Sequence, residues 1–146
     1  MYIIAENRRA RLDYDVKDSI EAGIELRGFE VKSAKAGRMS LAGSYAVIRK
    51  KAACIVNSAI APYQPGNTPQ GYEPTHPRRL LLKKEEIESL SGVAKNKSVS
   101  IIPLQAYLKN GIIKMKIAIA KSRKKSDKRE ILKKKAARRE MRGDND

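Results

Sequence analysis

The chain has 146 residues, with 32 Lys and Arg against 16 Asp and Glu, for a formal net charge of +16. At this length it forms one domain, or one domain with an extension, and buries about two thirds of its unfolded surface. Hydrophobic residues at 41%, with only 9 Gly and 6 Pro, exclude a collagen-like or wholly disordered chain, and no apolar run approaches the length of about 18 residues that a membrane helix needs.

Met1-Tyr2-Ile3-Ile4-Ala5 runs straight into Glu6, Arg8 and Arg9, too short an apolar stretch for a secretory signal. The basic cluster Asn7-Arg8-Arg9-Ala10-Arg11 follows, ahead of Tyr14. Residues 15–23 read as a short helix, with Asp15 or Asp18 near its start and Gly23 as a left-handed stop. Residues 25–33 alternate with period two, so a half-buried strand is predicted there, with Leu26, Phe29 and Val31 inward and a bulge at Gly28. A second basic cluster, Lys32 to Arg38, overlaps its end. Residues 45–49 and 53–57 are β-favouring runs separated by Lys50-Lys51, the layout of a hairpin. Residues 62–77 are too rich in Pro and Gly to be anything but loop. Arg78-Arg79 then precedes Leu80-Leu81-Leu82, and residues 82–92 read as a helix with Ile87 and Leu90 on one face and Gly92 as its C-cap.

Residues 99–104 and 112–120 are predicted strands flanking Tyr107 to Gly111, whose Asn110-Gly111 pair is a strong hairpin signal. In the later strand Lys114 and Lys116 share one face, opposite Ile113, Met115 and Ile117. Many short strands with few helices point to a small closed barrel, and the five-stranded OB type is the leading expectation for residues 1–120. Residues 121–146 differ in character. They hold 12 basic and five acidic residues, net +7, leaving 20 against 11, net +9, for the rest. Ile131, Leu132 and Met141 are too few to bury a face, so this tail is expected to be disordered alone and helical only against a partner.

The chemistry of catalysis is thin. His76 is the single histidine, so no histidine dyad or multi-histidine metal site can form, and a solvated or phosphate-facing loop residue is the better reading. Cys54 is the single cysteine; it cannot form an internal disulfide, reads as a small buried hydrophobe, and suits a reducing cytoplasm. Glu85, Glu86 and Glu88 neighbour Lys83 and Lys84 and read as a solvated helix face. No glycine-rich phosphate loop is present, and no catalytic residue, metal or cofactor is expected. The basic clusters point instead to a polyanion. With one Phe, six Tyr and no Trp, base-by-base stacking is disfavoured, and recognition of a structured RNA by shape and backbone fits better.

Four stretches, residues 5–14, 21–33, 77–82 and 127–130, taken in order, resemble the SsrA-binding proteins (small protein B, SmpB), and the likeness runs nearly end to end. The resemblance implies an OB-like barrel that binds the tRNA-like domain of transfer-messenger RNA (tmRNA). It further implies a factor of trans-translation and ribosome rescue, without enzymatic activity. It carries Glu21, Leu81 and Lys114 over as RNA contacts, with Arg8, Arg11, Lys32, Arg78 and Arg79 as weaker members of that surface. For the tail it implies that Lys124, Asp127, Lys128 and Arg129 enter the decoding centre of the small ribosomal subunit, with the residues beyond becoming helical in the empty mRNA channel. Elongation factor Tu would be an indirect partner, through charged tmRNA. Two departures from the family pattern stand in the tail. Ser122-Arg123-Lys124 replaces the usual Gly-Lys-Lys, and Ser126 replaces a His or Tyr expected to stack on a nucleotide. His76 stands where an Arg is usual. A general RNA chaperone or ribosomal protein is the competing class, and a membrane-lying tail is disfavoured because its apolar residues form no stripe.

Overall fold

The computed structural model describes residues 2–64, 66 and 68–142. In chain order the elements are β1 (Tyr2–Glu6), α1 (Ala10–Asp13), β2 (Tyr14–Ile24), α2 (Gly28–Lys35), β3 (Met39–Ser40), β4 (Tyr45–Arg49), β5 (Ala52–Val56), β6 (Ala59–Ile60), β7 (Arg78–Leu81), α3 (Lys84–Ala94), β8 (Val99–Lys109), β9 (Ile112–Ser122) and α4 (Lys125–Arg142). Seven strands form one antiparallel sheet in the order β1-β8-β9-β2-β7-β5-β4, and β3 pairs with β6 beside it.

Both hairpins form where the turn residues demanded them. Asn110 and Gly111 have φ of 53° and 77°, the left-handed pair that a two-residue turn between twisted strands requires. Lys50 and Lys51, at 44° and 64°, make the same turn without glycine, and β4 and β5 pair from Tyr45↔Val56 to Arg49↔Ala52.

Two elements exchange type relative to the local pattern. Residues 14–24 are a strand, because β9 offers a partner from Tyr14↔Ser122 to Gly23↔Lys114, and a continuous ladder outweighs a weak helical preference. Gly23 is thus an interior strand position and stops no helix. Residues 28–35 are a helix rather than a bulged strand. The Arg27 N–H donates to the Glu30 carboxylate at 3.0 Å, supplying the acidic half of a capping box. The inward positions are Glu30, Ser33 and Ala34, spaced i, i+3, i+4, but two are polar, so hydrophobic periodicity is blind to them. Helix α3 starts two residues later than expected and runs through Gly92 to Ala94.

The expected closed five-stranded barrel is replaced by an open seven-stranded sheet. β1 has five residues and β8 has 11, so β1 covers β8 only from Gln105 to Leu108. Pro103, lacking an N–H, sits where the β8 register slips. The free half of β8 and the free edge of β4 line a cleft of about 960 Å³, with Asn7, Arg8 and Arg9 at its rim. The main core fills the concave side, including Ile55, Leu80, Ile101, Met115 and Ile117. On the convex side a smaller core of Ala10, Ile102, Leu104, Ala118 and Ala120 lies under α1. It covers one half of that face and leaves the other open.

After residue 120 the described chain continues as strand and then as helix. β9 continues to Ser122, and α4 carries exposed side chains along most of its length. Met141 and Arg142 are helical, and residues 143–146 lie outside the described residues. None of the described helices is long and apolar enough to cross a membrane.

Candidate nucleic-acid interface

The open half of the convex face is built by strand register. Ile3 of β1, Tyr107 of β8, Lys114 of β9, Gly23 of β2 and Leu81 of β7 stand opposite one another in successive pairs. Residues directly opposite in antiparallel strands share a face, so this row crosses five strands on one surface. Two residues along, Gln105, Lys116 and Glu21 form the next row. Thus Glu21, Leu81 and Lys114, 93 positions apart at the extremes, meet on one patch.

Gly23 is what lets Leu81 lie there. A Cβ at position 23 would stand 3.1 Å from Leu81 Cβ and 3.4 Å from its Cδ1, so the leucine side chain occupies the space that the glycine leaves. Leu81 is 52% exposed, an apolar platform in the same row as Lys114, with Gly23 between them. Glu21 accepts a hydrogen bond from the Tyr107 hydroxyl, and Lys109 Nζ is 3.4 Å from the same oxygen. The Tyr107 hydrogen bond holds the Glu21 carboxyl below its ordinary range, with Lys109 and Lys114 assisting against partial burial.

The basic cluster of residues 7–11 joins this patch from the side. Arg8 and Arg11, both exposed, line a cleft of about 450 Å³ together with Glu6, Asn7, Gln105 and Lys116. Three cations around one depression suit phosphate oxygens. Asn7 shapes the rim, its side chain donating to Pro103 O at 3.0 Å and its backbone N–H to Leu104 O at 2.8 Å.

Arg78 and Arg79 divide as strand alternation requires. Arg79 is exposed on the Leu81 side, opposite Cys54 of β5. Cys54 is half-buried on this outer face rather than in the core. Arg78 points the other way and is buried, with side-chain exposure of 0%, so it is not a surface residue for RNA. Its Nε and Nη2 donate to Glu30 Oε2 at 2.9 and 2.7 Å, Nη1 to Ser58 O at 2.9 Å, and Nη2 also to Pro74 O at 2.8 Å. The Tyr72 hydroxyl is 3.1 Å from Glu30 Oε2, and His76 Nε2 is 2.8 Å from it. His76 is therefore part of the hydrogen-bond network around Glu30, not a free loop residue. Phe29, expected inside a strand, instead packs edge-on against Tyr72 at 5.0 Å. The whole set ties the proline-rich loop to α2.

Burial alone would push the Glu30 carboxyl up, but the Arg27 N–H, Arg78 and His76 bonds outweigh it and hold it at about 2. A carboxyl whose folded pKa lies below its unfolded value near 4.5 contributes stability that is complete above the unfolded value and vanishes as pH falls through the folded one. Acid titration is therefore expected to remove on the order of 3 kcal/mol between pH 5 and 2, and Glu30→Gln to flatten that fall. Thermal unfolding across that range measures it.

Lys32 is exposed on α2, an element apart from the sheet patch. In the tail Lys124, Asp127 and Arg129 are exposed, whereas Lys128 Nζ lies 3.3 Å from Asp13 Oδ1. Ser126 stands exposed in the first turn of α4. The tail's root is fastened by Arg123, whose N–H donates to Asp13 O at 2.8 Å and whose Nε donates to Arg11 O and Tyr14 O at 3.2 Å. These carbonyls close the short helix α1, where cationic donors are favoured. Tyr107, Lys109, Ile3 and Arg123 were not legible as parts of this region, because each acquires its place through a strand pair or a partner nearly a hundred residues away.

Comparison with known proteins finds similarity along most of the chain. Residues 4–145 match the family model described as SmpB protein. The SsrA-binding protein of Shouchella clausii is 45% identical over 139 residues, covering 95% of this chain and 88% of the relative. Those of Staphylococcus carnosus and Magnetococcus marinus are each 47% identical over 138 residues, covering 94% of this chain and 88% and 91% of theirs. A solved structure described as "tmRNA-SmpB: a journey to the center of the bacterial ribosome" aligns with a TM-score of 0.69 at 35% identity, covering 87% of this chain and 92% of that one.

Proposed function

The chain belongs to the SmpB protein family, and on that premise we propose that it binds the tRNA-like domain of tmRNA and delivers it to stalled ribosomes for trans-translation. It acts by binding and by no catalysis of its own, in the cytoplasm, with no cofactor and no membrane. The observation that carries this reading is the convergence of Glu21, Leu81 and Lys114 on one exposed face, flanked by Arg8, Arg11 and Lys116. Lys114 and the arginines supply phosphate contacts, Leu81 an apolar seat for an unstacked base, and Glu21 an acceptor for base-edge donors. Arg79 extends the cationic border, and Lys32 adds charge from α2.

The tail has the second task. Lys124, Asp127, Lys128 and Arg129 enter the decoding centre, and the rest of α4 occupies the empty mRNA channel, whose phosphate walls suit a helix with Lys and Arg on every side. Elongation factor Tu meets the chain only through charged tmRNA. Ser126 cannot stack as an aromatic would, so the entry rests on charge.

Two measurements test the reading. RNA copurified with the chain is expected to be dominated by tmRNA on sequencing; recovery of many RNAs alike would replace the rescue factor with a general RNA chaperone. Lys114→Ala is expected to weaken binding to the isolated tRNA-like domain about tenfold, the scale of one lost charged contact, with thermal stability unchanged. Equal affinity of variant and parent would remove the sheet face from the site.

A further inference from the structure

We propose that Tyr107 is a positioning residue of the RNA-binding face: its hydroxyl, with Lys109, locks the Glu21 carboxylate into one orientation, preset for a base edge that offers two adjacent N–H donors. This rests on the functional reading above and adds to it the group that makes Glu21 selective. The geometry is that of a one-sided clamp. Tyr107 is 4% exposed, with its ring in the row between Ile3 and Lys114, so its hydroxyl is rigidly placed. It donates to Glu21 Oε2, and Lys109 Nζ approaches that oxygen at 3.4 Å and Oε1 at 3.5 Å. A carboxylate has about four acceptor sites. Tyr107 takes one of them and Lys109 lies at the limit of hydrogen-bond distance from both oxygens, so acceptor positions stay open on a side chain that is 38% exposed.

Among unpaired bases only guanine presents two adjacent donors on its Watson–Crick edge, and a carboxylate held in plane meets both. A free Glu rotamer would have to be ordered at the moment of binding, at a cost in entropy. The surroundings keep the clamp in one protonation state. Burial and the Glu21 charge push the Tyr107 hydroxyl up to about 12, so it remains a donor. The groups facing Glu21 are Tyr107 and Lys109 of β8 and Lys114 and Lys116 of β9, while β7 presents the apolar Leu81.

Full-length chain and the isolated tRNA-like domain provide the test. Tyr107→Phe keeps the buried ring and removes only the donor. Its affinity is expected to fall about five- to tenfold at pH 7, less than the full worth of a hydrogen bond to a charged group because Glu21 itself remains. In a Glu21→Gln background the same change is expected to cost less than twofold, because the carboxylate it serves is gone. The Glu21 carboxyl, followed by NMR in the free protein, is expected to titrate at higher pH in Tyr107→Phe, and acid loss of binding to begin correspondingly earlier. Lys109→Met, which leaves the core untouched, is expected to move that titration the same way. Equal losses in both backgrounds, or an unmoved Glu21 titration, would overturn the role of Tyr107. A wild-type chain with no preference for this RNA over an unrelated folded transcript would instead sink the functional reading, so the two failures are separable.

Discussion

Arg78→Ala is expected to destabilise the protein by about 3–5 kcal/mol, the cost of removing one partner from a buried ion pair, and to lower the melting temperature by roughly 10 °C or more. The reason lies in what remains. Glu30 is 1% exposed, and its Oε2 accepts both the Nε and Nη2 bonds of Arg78. Without them a carboxylate stays buried with only His76, Tyr72 and the Arg27 N–H to compensate. Ser58 O loses the Arg78 Nη1 donor too, and Pro74 O keeps only the Ile60 N–H. The double variant Glu30→Leu/Arg78→Met removes both charges and is expected to recover most of the loss, since apolar pairs of similar volume replace buried ion pairs at little cost. RNA affinity measured on folded Arg78→Ala at low temperature is expected to stay within about twofold of the parent, because no atom of Arg78 reaches the convex face. Arg79→Ala, its neighbour, should show the reverse: no stability change and weaker RNA binding. A stable Arg78→Ala protein that fails to bind RNA would refute this division.

Ending the chain after Lys124 is expected to abolish peptide tagging on stalled ribosomes while leaving affinity for the tRNA-like domain within about threefold. The truncation discards nine basic and five acidic residues, net +4, so +12 of the +16 remains. It spares Arg123, whose bonds to Asp13 O, Arg11 O and Tyr14 O close the end of α1 beside Arg8 and Arg11. The ion pair with the body that it breaks, among the described residues, is the partly exposed Lys128–Asp13 pair, of a class that contributes at most about 1 kcal/mol. Ribosome binding by the truncated chain should also respond less steeply to salt, as fewer phosphates would be neutralised. A reconstituted translation reaction on messages lacking a stop codon reads the tagging, and a gel-shift series at several salt concentrations reads the rest. Tagging that survives would take the tail out of the decoding site; lost RNA affinity would make it part of the first interface.

Both predictions turn on positions adjacent in sequence whose tasks diverge in space. Alternation along β7 says that Arg78 and Arg79 face opposite ways, but not which one faces the core. That choice belongs to Glu30, 48 residues earlier, and to the Ser58 and Pro74 carbonyls. The charge of Glu30 hid it from any search for apolar periodicity, and with it hid α2.

What the sequence determined by itself was whatever depends on neighbours in the chain. Lys50-Lys51 and Asn110-Gly111 set two hairpins through their own backbone preferences, the breakers of residues 62–77 kept strands and α-helices out of that span among the described residues, and composition divided the charge between body and tail. The family likeness followed from the order of short motifs, and with it the names of Glu21, Leu81 and Lys114. Only the tertiary structure decided that residues 14–24 are a strand, since β9 must be present to accept their ladder, and that the sheet stays open, since β1 is too short to cover β8. It also decided what Glu21 is. In sequence it is one acidic residue on a supposed helix; in space it is held by a tyrosine 86 residues away. Local conformation is a property of a few adjacent dihedrals, whereas a binding face is a property of register between strands that meet only after the chain has folded.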